Sequence, residues 1–475
     1  MYYSFAPRSN IIFFLLTMAI LFLGLVMSPL DYFKQAESVG PLSDRLPSVY
    51  SSEMKIEQIF QNNMTYPSGT LSPVSSLTFL GMDDILLLNK NNGTVYRIIN
   101  GSLSEEPLLN VNVANKRERG LLGLASSTQH LPNDDKHNIL KYVFLYYTES
   151  DKDGNDICPK VYLCEASIDG LGNRLYRYEL EGSKLVNPKL LLDLPTTPTP
   201  MHNGGVIEIG PDNHVYVTIG DLGGSLDEIS STKSQNFING TEPDGRSGIL
   251  RITQDGKTVG GGVLGSHDPL NKYYAYGIRN SFGIDFDPVT GTLWDTENGP
   301  EYGDEINIVE PGFNSGWNKV QGIWSPTYEG APEGADYIAG VKLLNPEKDL
   351  VDFDGKGEYS APEFIWKQTV SPTAIKFLHS NKYGPDYKDD LFVGDFNNGN
   401  LYHFELNRER SGLLLNGALE DKVADSPVEL KEAIFANGFY RILDLEVGPD
   451  GYLYILSAHN KSVNIFKLLP TDYEN

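Results

Sequence analysis

Residues 201–221 read MHNGGVIEIGPDNHVYVTIGD. A histidine stands just after a turn and two glycines follow. Then come a short alternating strand, a Gly-Pro-Asp-Asn turn, a second strand over Val215–Ile219, and an aspartate at its end. Turn formers between two short apolar runs signal a hairpin. A hairpin folds the chain back on itself, so His202 and Asp221 are brought to the same end. That supplies a candidate base and a candidate acidic partner with a mechanical reason to meet.

The same unit recurs along the chain. It reads ILLLNKNNGTVYRI at 85–98, KYVFLYYTES at 141–150 with NRLYRYEL at 173–180, and IDFDPVTGTLWDTE at 284–297. Two further copies are DLFVGDFNNGNLYHFEL at 390–406 and LEVGPDGYLYILS at 445–457. No segment after about residue 56 carries the sustained 3.6-residue period of a long helix. The steps between copies exceed the ~40–45 residues of the commonest propeller blade. Four-stranded blades with elaborated loops suit them, and their unevenness speaks against the regular coils of a β-helix. The expectation is an all-β chain: a six-bladed β-propeller over 56–472, preceded by one N-terminal transmembrane helix. A propeller closes on itself and leaves few exposed edges. Its loops gather single residues from distant parts of the chain around one channel mouth.

Composition agrees. The 475 residues include 47 Gly, 28 Pro and 27 Tyr, which favours turns and short strands. The formal charge is -25, from 38 basic and 63 acidic residues. Such a surface repels nucleic acid and anionic lipid and attracts cations. Two cysteines exclude a disulfide framework.

The N-terminus sets the expected compartment. An apolar run from Ile11 to Leu30 carries no charged residue, and Arg8 precedes it. About 20 helical residues at ~1.5 Å each cross a hydrocarbon core of roughly 30 Å. The run exceeds the apolar core of a signal peptide and lacks a good cleavage site. Residues 9–30 are therefore expected to form an uncleaved anchor and 31–55 a tether. This reading gives a single-pass protein of the cell membrane with its C-terminal domain on the extracellular or periplasmic side.

Several residues could carry chemistry. His202 beside Gly204 and Gly205 can take a proton near neutral pH, and Asp221 can orient it; each could equally be a satisfied turn residue. Arg279 and Asn280 offer a rigid donor fork and an amide. Glu297, Asp304 and Glu305 surround Asn298-Gly299-Pro300, an oxygen-rich turn that suits Ca²⁺ without EF-hand spacing. Asp151, Asp153, Asn155 and Asp156 make a second possible cation loop, followed by Cys158 and Cys164, which could pair or stay reduced. Sequons stand at Asn63, Asn92, Asn100 and Asn239. There is no P-loop, dinucleotide fingerprint, zinc spacing or nucleophile elbow.

Taken together, RERGLLGLA (117–125), HNGG…GPD…YVTIGD (202–221), YGIRNSFGIDFDPVTGTLWDTENGPEYGDEIN (276–307), PGFNSGW (311–317) and RILDLEVGPDGYLYIL (441–456) resemble the soluble glucose dehydrogenase and sorbosone dehydrogenase family. These are quinoprotein aldose dehydrogenases, and the likeness covers roughly 60–470. It implies a propeller holding pyrroloquinoline quinone (PQQ) and calcium at the channel mouth. The implied reaction oxidises an aldose at the anomeric carbon to the lactone by hydride transfer to PQQ, on the outer face of the membrane. Electrons would pass on to a membrane quinone or a small electron-transfer protein.

The likeness also implies roles. His202 matches the base, Asp221 its carboxylate partner, and Arg279 the clamp on the quinone oxygens with Asn280 beside it. The carbonyls of Gly299 and Pro300 match those that hold calcium, with Glu297, Asp304 and Glu305 close by. The chain departs from the pattern at the cofactor's carboxylates. Asn397 stands where the glucose enzymes have lysine. Leu443 replaces a second arginine and leaves Arg441 alone. Glu118, Asn298 and Phe282 replace glutamines. Lys367, Lys319 or Arg119 could supply charge from a new direction. Two alternatives follow from these departures. One is a PQQ-less, calcium-stabilised propeller that binds an extracellular glycan. The other is a calcium-dependent lactonase or hydrolase.

Overall fold

The computed structural model describes residues 46–64, 71–130, 139–151, 170–223, 231–324, 350–459 and 462–471. Each recurring unit folds as an antiparallel hairpin. Ile207 faces Val217 across the 202–221 hairpin, Phe286 faces Leu293, and Val447 faces Leu453. The Gly-Pro-Asp-Asn turn closes through Gly210 N to His214 O at 2.9 Å and Asn213 N to Gly210 O at 2.8 Å. Asn213 takes a left-handed φ of 62°, which asparagine tolerates. Second strands such as Val215–Ile219 are buried along their whole length, as expected of strands covered on both faces.

The described strands assort into sheets that share one plan. Their first strands are Val74–Gly81, Leu121–His130, Ile207–Ile209, Ser281–Phe286, Pro372–Phe377 and Ile442–Val447. Each first strand packs on the next, and Ile442–Val447 returns to Val74–Gly81, so the first strands close a ring. The last sheet is completed by the N-terminal strand Met54–Asn63, paired antiparallel with Ser462–Pro470. That pairing ties the two ends of the fold together and removes an open edge. The apolar clusters lie between neighbouring sheets. One of them packs Phe144 and Tyr146 of the second sheet against Val217 and Leu250 of the third.

The expected fold is corrected in two respects. The sheets are not uniform four-stranded blades; they carry four to six strands. Two of the sheets gain short segments from insertions that return to pair in parallel. Phe313–Asn314 adds beside Tyr273–Tyr276, and Val423–Ala424 beside Phe364–Trp366. Second, among the described residues no helix is long and apolar enough to cross a membrane. The single-pass anchor, the membrane partner and the membrane localisation expected from the apolar run find no such helix among the described residues, and residues 9–30 themselves lie outside them. So do most of the acidic loop at 151–156 and both cysteines. Within the stretch read as a tether, Ser48–Val49 is an edge strand paired with Ile434–Asn437.

Candidate active site

The site lies where the first strands begin. His202 precedes Ile207–Ile209, and Asp221 follows the second strand of the same hairpin. Gly205 N donates to Thr218 O at 2.9 Å, so the hairpin stays zipped almost to His202. A side chain at Gly220 would lie 2.6 Å from both His202 O and Arg279 O. Only glycine lets these backbones converge. Asp221 N donates to Arg279 O at 2.8 Å, which docks the next sheet's entry loop onto the hairpin.

His202 Nδ1 lies 2.5 Å from Asp221 Oδ1. Both residues are buried. Asp221 Oδ1 also accepts from Gly223 N at 2.9 Å, and Oδ2 accepts from Trp317 Nε1 at 2.8 Å. Burial pushes the Asp221 carboxyl up, but the His202 charge and hydrogen bond, with Arg279 and Gly223, outweigh it and hold the carboxyl below its ordinary value. An ionised Asp221 fixes the proton on His202 Nδ1, which leaves Nε2 as the acceptor.

Glu118 comes from a third sheet's entry loop. Its Oε2 accepts from His202 N at 2.5 Å and from Asn280 Nδ2 at 3.5 Å. Its own N donates to Pro200 O at 3.1 Å. These bonds grip both sides of residues 200–202 and hold His202 at a left-handed φ of 56°, a conformation non-glycine residues rarely adopt. Buried Lys90 steadies the loop in turn, donating to Arg117 O at 2.8 Å and Arg119 O at 2.7 Å.

Arg279 Nη1 donates to Asn298 O at 2.8 Å and Gly299 O at 2.9 Å. Its guanidinium lies 5.4 Å from the centre of the Trp317 ring. Arg279 N donates to Glu297 Oε1 at 2.7 Å, and Asn298 Nδ2 reaches Pro372 O at 2.9 Å. Two backbone carbonyls thus form a cradle in which a positive group rests. The guanidinium stands in for a cation there, so this pair of carbonyls would suit a cation. Pro300 is exposed at the tip of the turn.

The three carboxylates read as metal neighbours are all buried. Asp304 Oδ1 accepts from Gly299 N at 2.8 Å, and Oδ2 accepts from Val370 N and Ser371 N at 2.7 Å each. Burial still pushes its pKa up to about 6. It clamps the turn through backbone bonds. Glu297 accepts from Ser315 Oγ at 2.6 Å, and Glu305 from Gln321 Nε2 at 2.9 Å. Burial, then mutual repulsion with Glu305 and Asp295, holds Glu297 well above the ordinary range. Burial lifts Glu305 to about 8 and Asp295 to about 7. Among the described residues no group of three or more His, Cys, Asp or Glu is arranged to hold a metal ion; the oxygens of Asp304, Glu297 and Glu305 are spent on local donors.

The remaining cofactor candidates are spread along the rim. Asn397 is exposed and donates to Ser371 Oγ at 2.9 Å, next to the Asp304 clamp. Arg441 donates to Leu71 O at 3.0 Å and lies 4.8 Å from the centre of the Phe396 ring. Lys367 pairs with Asp425 at 3.1 Å, and Lys319 lies over Phe237. Arg119 is buried and donates to Thr197 O at 2.5 Å. Sequence reasoning missed Trp317 as the second anchor of Asp221. The PGFNSGW stretch was visible, but not its bond to a residue 96 positions away.

The profile of the Glucose / Sorbosone dehydrogenase family matches residues 71–467. An aldose sugar dehydrogenase of Escherichia coli is 26% identical over 281 residues, covering 58% of this chain and 62% of the relative. The chain spans about six-tenths of the length of such curated relatives. A Thermus thermophilus structure described as an oxidoreductase (glucose dehydrogenase) shares the fold at TM-score 0.60 and 23% identity, over 88% of this chain and 100% of the other. The PQQ-bound aldose sugar dehydrogenase of Streptomyces coelicolor shares it at TM-score 0.55 and 20% identity, over 88% and 99%. On the match across 71–467, the chain belongs to the glucose / sorbosone dehydrogenase family.

Proposed function

We propose that the protein oxidises an aldose at its anomeric carbon to the lactone, using PQQ and Ca²⁺ held beside Arg279. The observation that carries this reading is the 2.5 Å contact of His202 Nδ1 with Asp221 Oδ1. With Nδ1 holding its proton toward Asp221, Nε2 takes the proton of the anomeric hydroxyl. Asp221 stabilises the imidazolium that forms and fixes the ring's orientation. Trp317 keeps Asp221 in place through the indole N–H. PQQ, when bound, supplies the two-electron oxidant for the anomeric hydrogen, which leaves as hydride.

The carbonyls of Gly299 and Pro300 would supply oxygens for the cation. Arg279, Asn298 and Arg441 would be the side chains holding the cofactor, with Asn397 at the rim. Family membership and the name of the E. coli relative support the sugar substrate; the bound cofactor of the Streptomyces protein supports the quinone.

The test is a titration of the protein with PQQ in the presence of Ca²⁺, followed by quinone absorbance and heat, then by addition of a panel of aldoses with an artificial electron acceptor. Saturable, stoichiometric binding and sugar-dependent reduction of the acceptor are expected. Absence of PQQ binding at micromolar concentration, with Ca²⁺ still raising the unfolding temperature, would overturn the reading in favour of a propeller that has kept the scaffold without the quinone.

A further inference from the structure

Once the bonds around the dyad are assigned, two acceptors are left over, on Glu118 and Asn280, alongside one buried donor without a partner among the described residues, Asn203 Nδ2. Both oxygens of Asp221 are taken by His202, Gly223 and Trp317. Arg279 Nη1 is taken by two carbonyls. Glu118 uses only Oε2, and the described ion pairs include none to Glu118. Asn280 is 2 % exposed, and its Oδ1 has no partner among the described residues. The amide cannot be flipped to cure this, because its Nδ2 faces the Glu118 carboxylate. A buried acceptor without a donor is costly, and a carboxylate with no ion pair beside it adds a demand for a donor that carries charge. Both groups touch the loops that carry His202 and Arg279, so the demand falls at the candidate active site itself.

We propose that the site is built for an amino sugar, with the protonated amino group held by the Glu118 carboxylate and Asn280 Oδ1. An ammonium offers three donors and one positive charge, which suits an anionic and a neutral acceptor side by side. A neutral sugar offers hydroxyl donors but no charge to pair with Glu118. This inference rests on the sugar-oxidoreductase reading and narrows its substrate class. Glu118 then has two tasks. It positions His202 through the backbone N–H, and it selects the charge of the ligand.

The experiment measures binding rather than turnover, so that it separates from the redox reading. Affinities of the full chain for glucosamine, glucose and N-acetylglucosamine are compared by calorimetry below pH 7, where the amine is protonated. Glucosamine is expected to bind about ten-fold or more tightly than either neutral sugar. The preference should fade as the pH rises past the titration of the amine. Glu118→Gln keeps an amide oxygen for the His202 N–H and removes the charge, so the glucosamine preference should collapse to within about two-fold. Equal affinities in the unaltered protein, or a preference that survives Glu118→Gln, would overturn the proposal. If Glu118→Gln does not fold, the comparison of the three sugars and its pH dependence decide alone. A Ca²⁺ titration distinguishes the other source of positive charge: if Ca²⁺ abolishes glucosamine binding competitively, Glu118 is a metal ligand and the amino-sugar assignment falls. Oxidation of glucose without any glucosamine preference would sink this inference and leave the redox reading intact. Absence of binding by any of these sugars would sink both.

Discussion

Two charged constellations occupy the same ring of first strands, and they are built on opposite rules. At the strand entrances stand His202, Asp221, Glu118 and Arg279. Further along the same strands lie Glu208, Asp285, Lys376, Asp444 and Glu446. Lys376 Nζ is buried and reaches Glu208 Oε1 at 2.7 Å, Glu446 Oε2 at 3.3 Å and Asp285 Oδ1 at 3.5 Å. Asp285 Oδ2 accepts from Phe377 N at 2.7 Å. Asp444 Oδ2 accepts from Ser76 Oγ at 2.7 Å and Leu77 N at 2.8 Å. This hub joins four sheets through one cation. The site at the entrances instead keeps acceptors in reserve: Glu118 Oε1 and Asn280 Oδ1. The hub is spent on holding the ring closed, whereas the entrance site keeps groups available for a ligand.

The comparison is broken most forcefully at Lys376. Burial works against its charge, but Asp285, Glu208 and Glu446 outweigh that and hold the ammonium well above its ordinary value. Lys376→Met leaves the buried carboxylates without their cation, a loss of about 3–5 kcal/mol in stability. Urea unfolding measures it. A stable variant would show that the hub is not what closes the ring. A smaller effect is expected at Trp317. Trp317→Phe removes only the N–H to Asp221 Oδ2 and should lower kcat roughly ten-fold, with the unfolding midpoint little changed. Unchanged kcat would remove Trp317 from the account.

An effect of similar size lies in pH dependence. Burial, partly offset by Lys376, raises the Asp285 carboxyl to about 6. Between about pH 4 and 6 the folded chain therefore holds a proton that the unfolded chain has released. Stability falls as pH rises through that window, by roughly 1–3 kcal/mol from this group. Asp285→Asn should flatten this part of the pH–stability curve relative to the unaltered protein. A curve of the same slope would mean that Asp285 is not the group that titrates.

Much of the fold was legible because its signal is local. Alternation around Gly-Pro-Asp and Asn-Gly turns gives each hairpin, and the 202–221 hairpin alone predicts that His202 meets Asp221. Contacts set by ring closure were not legible. Glu118 reaches His202 across 84 positions, and Lys376 reaches Glu208 across 168. No local pattern announces such pairs. Asp304 illustrates a different limit. A carboxylate beside an oxygen-rich turn reads equally as a metal ligand or a backbone clamp, and three N–H donors make it a clamp here. The insertions that add parallel edge strands also escaped, since two-residue strands carry no periodicity.

The most direct test of the account is the rate of sugar-dependent acceptor reduction by the PQQ- and Ca²⁺-supplemented protein, measured side by side with His202→Ala. Loss of the proton acceptor should cut the rate by about 10²–10⁴-fold while PQQ binding stays within a few-fold of the unaltered protein. Full acceptor reduction by His202→Ala would contradict the assignment of the His202–Asp221 pair as the proton-taking centre.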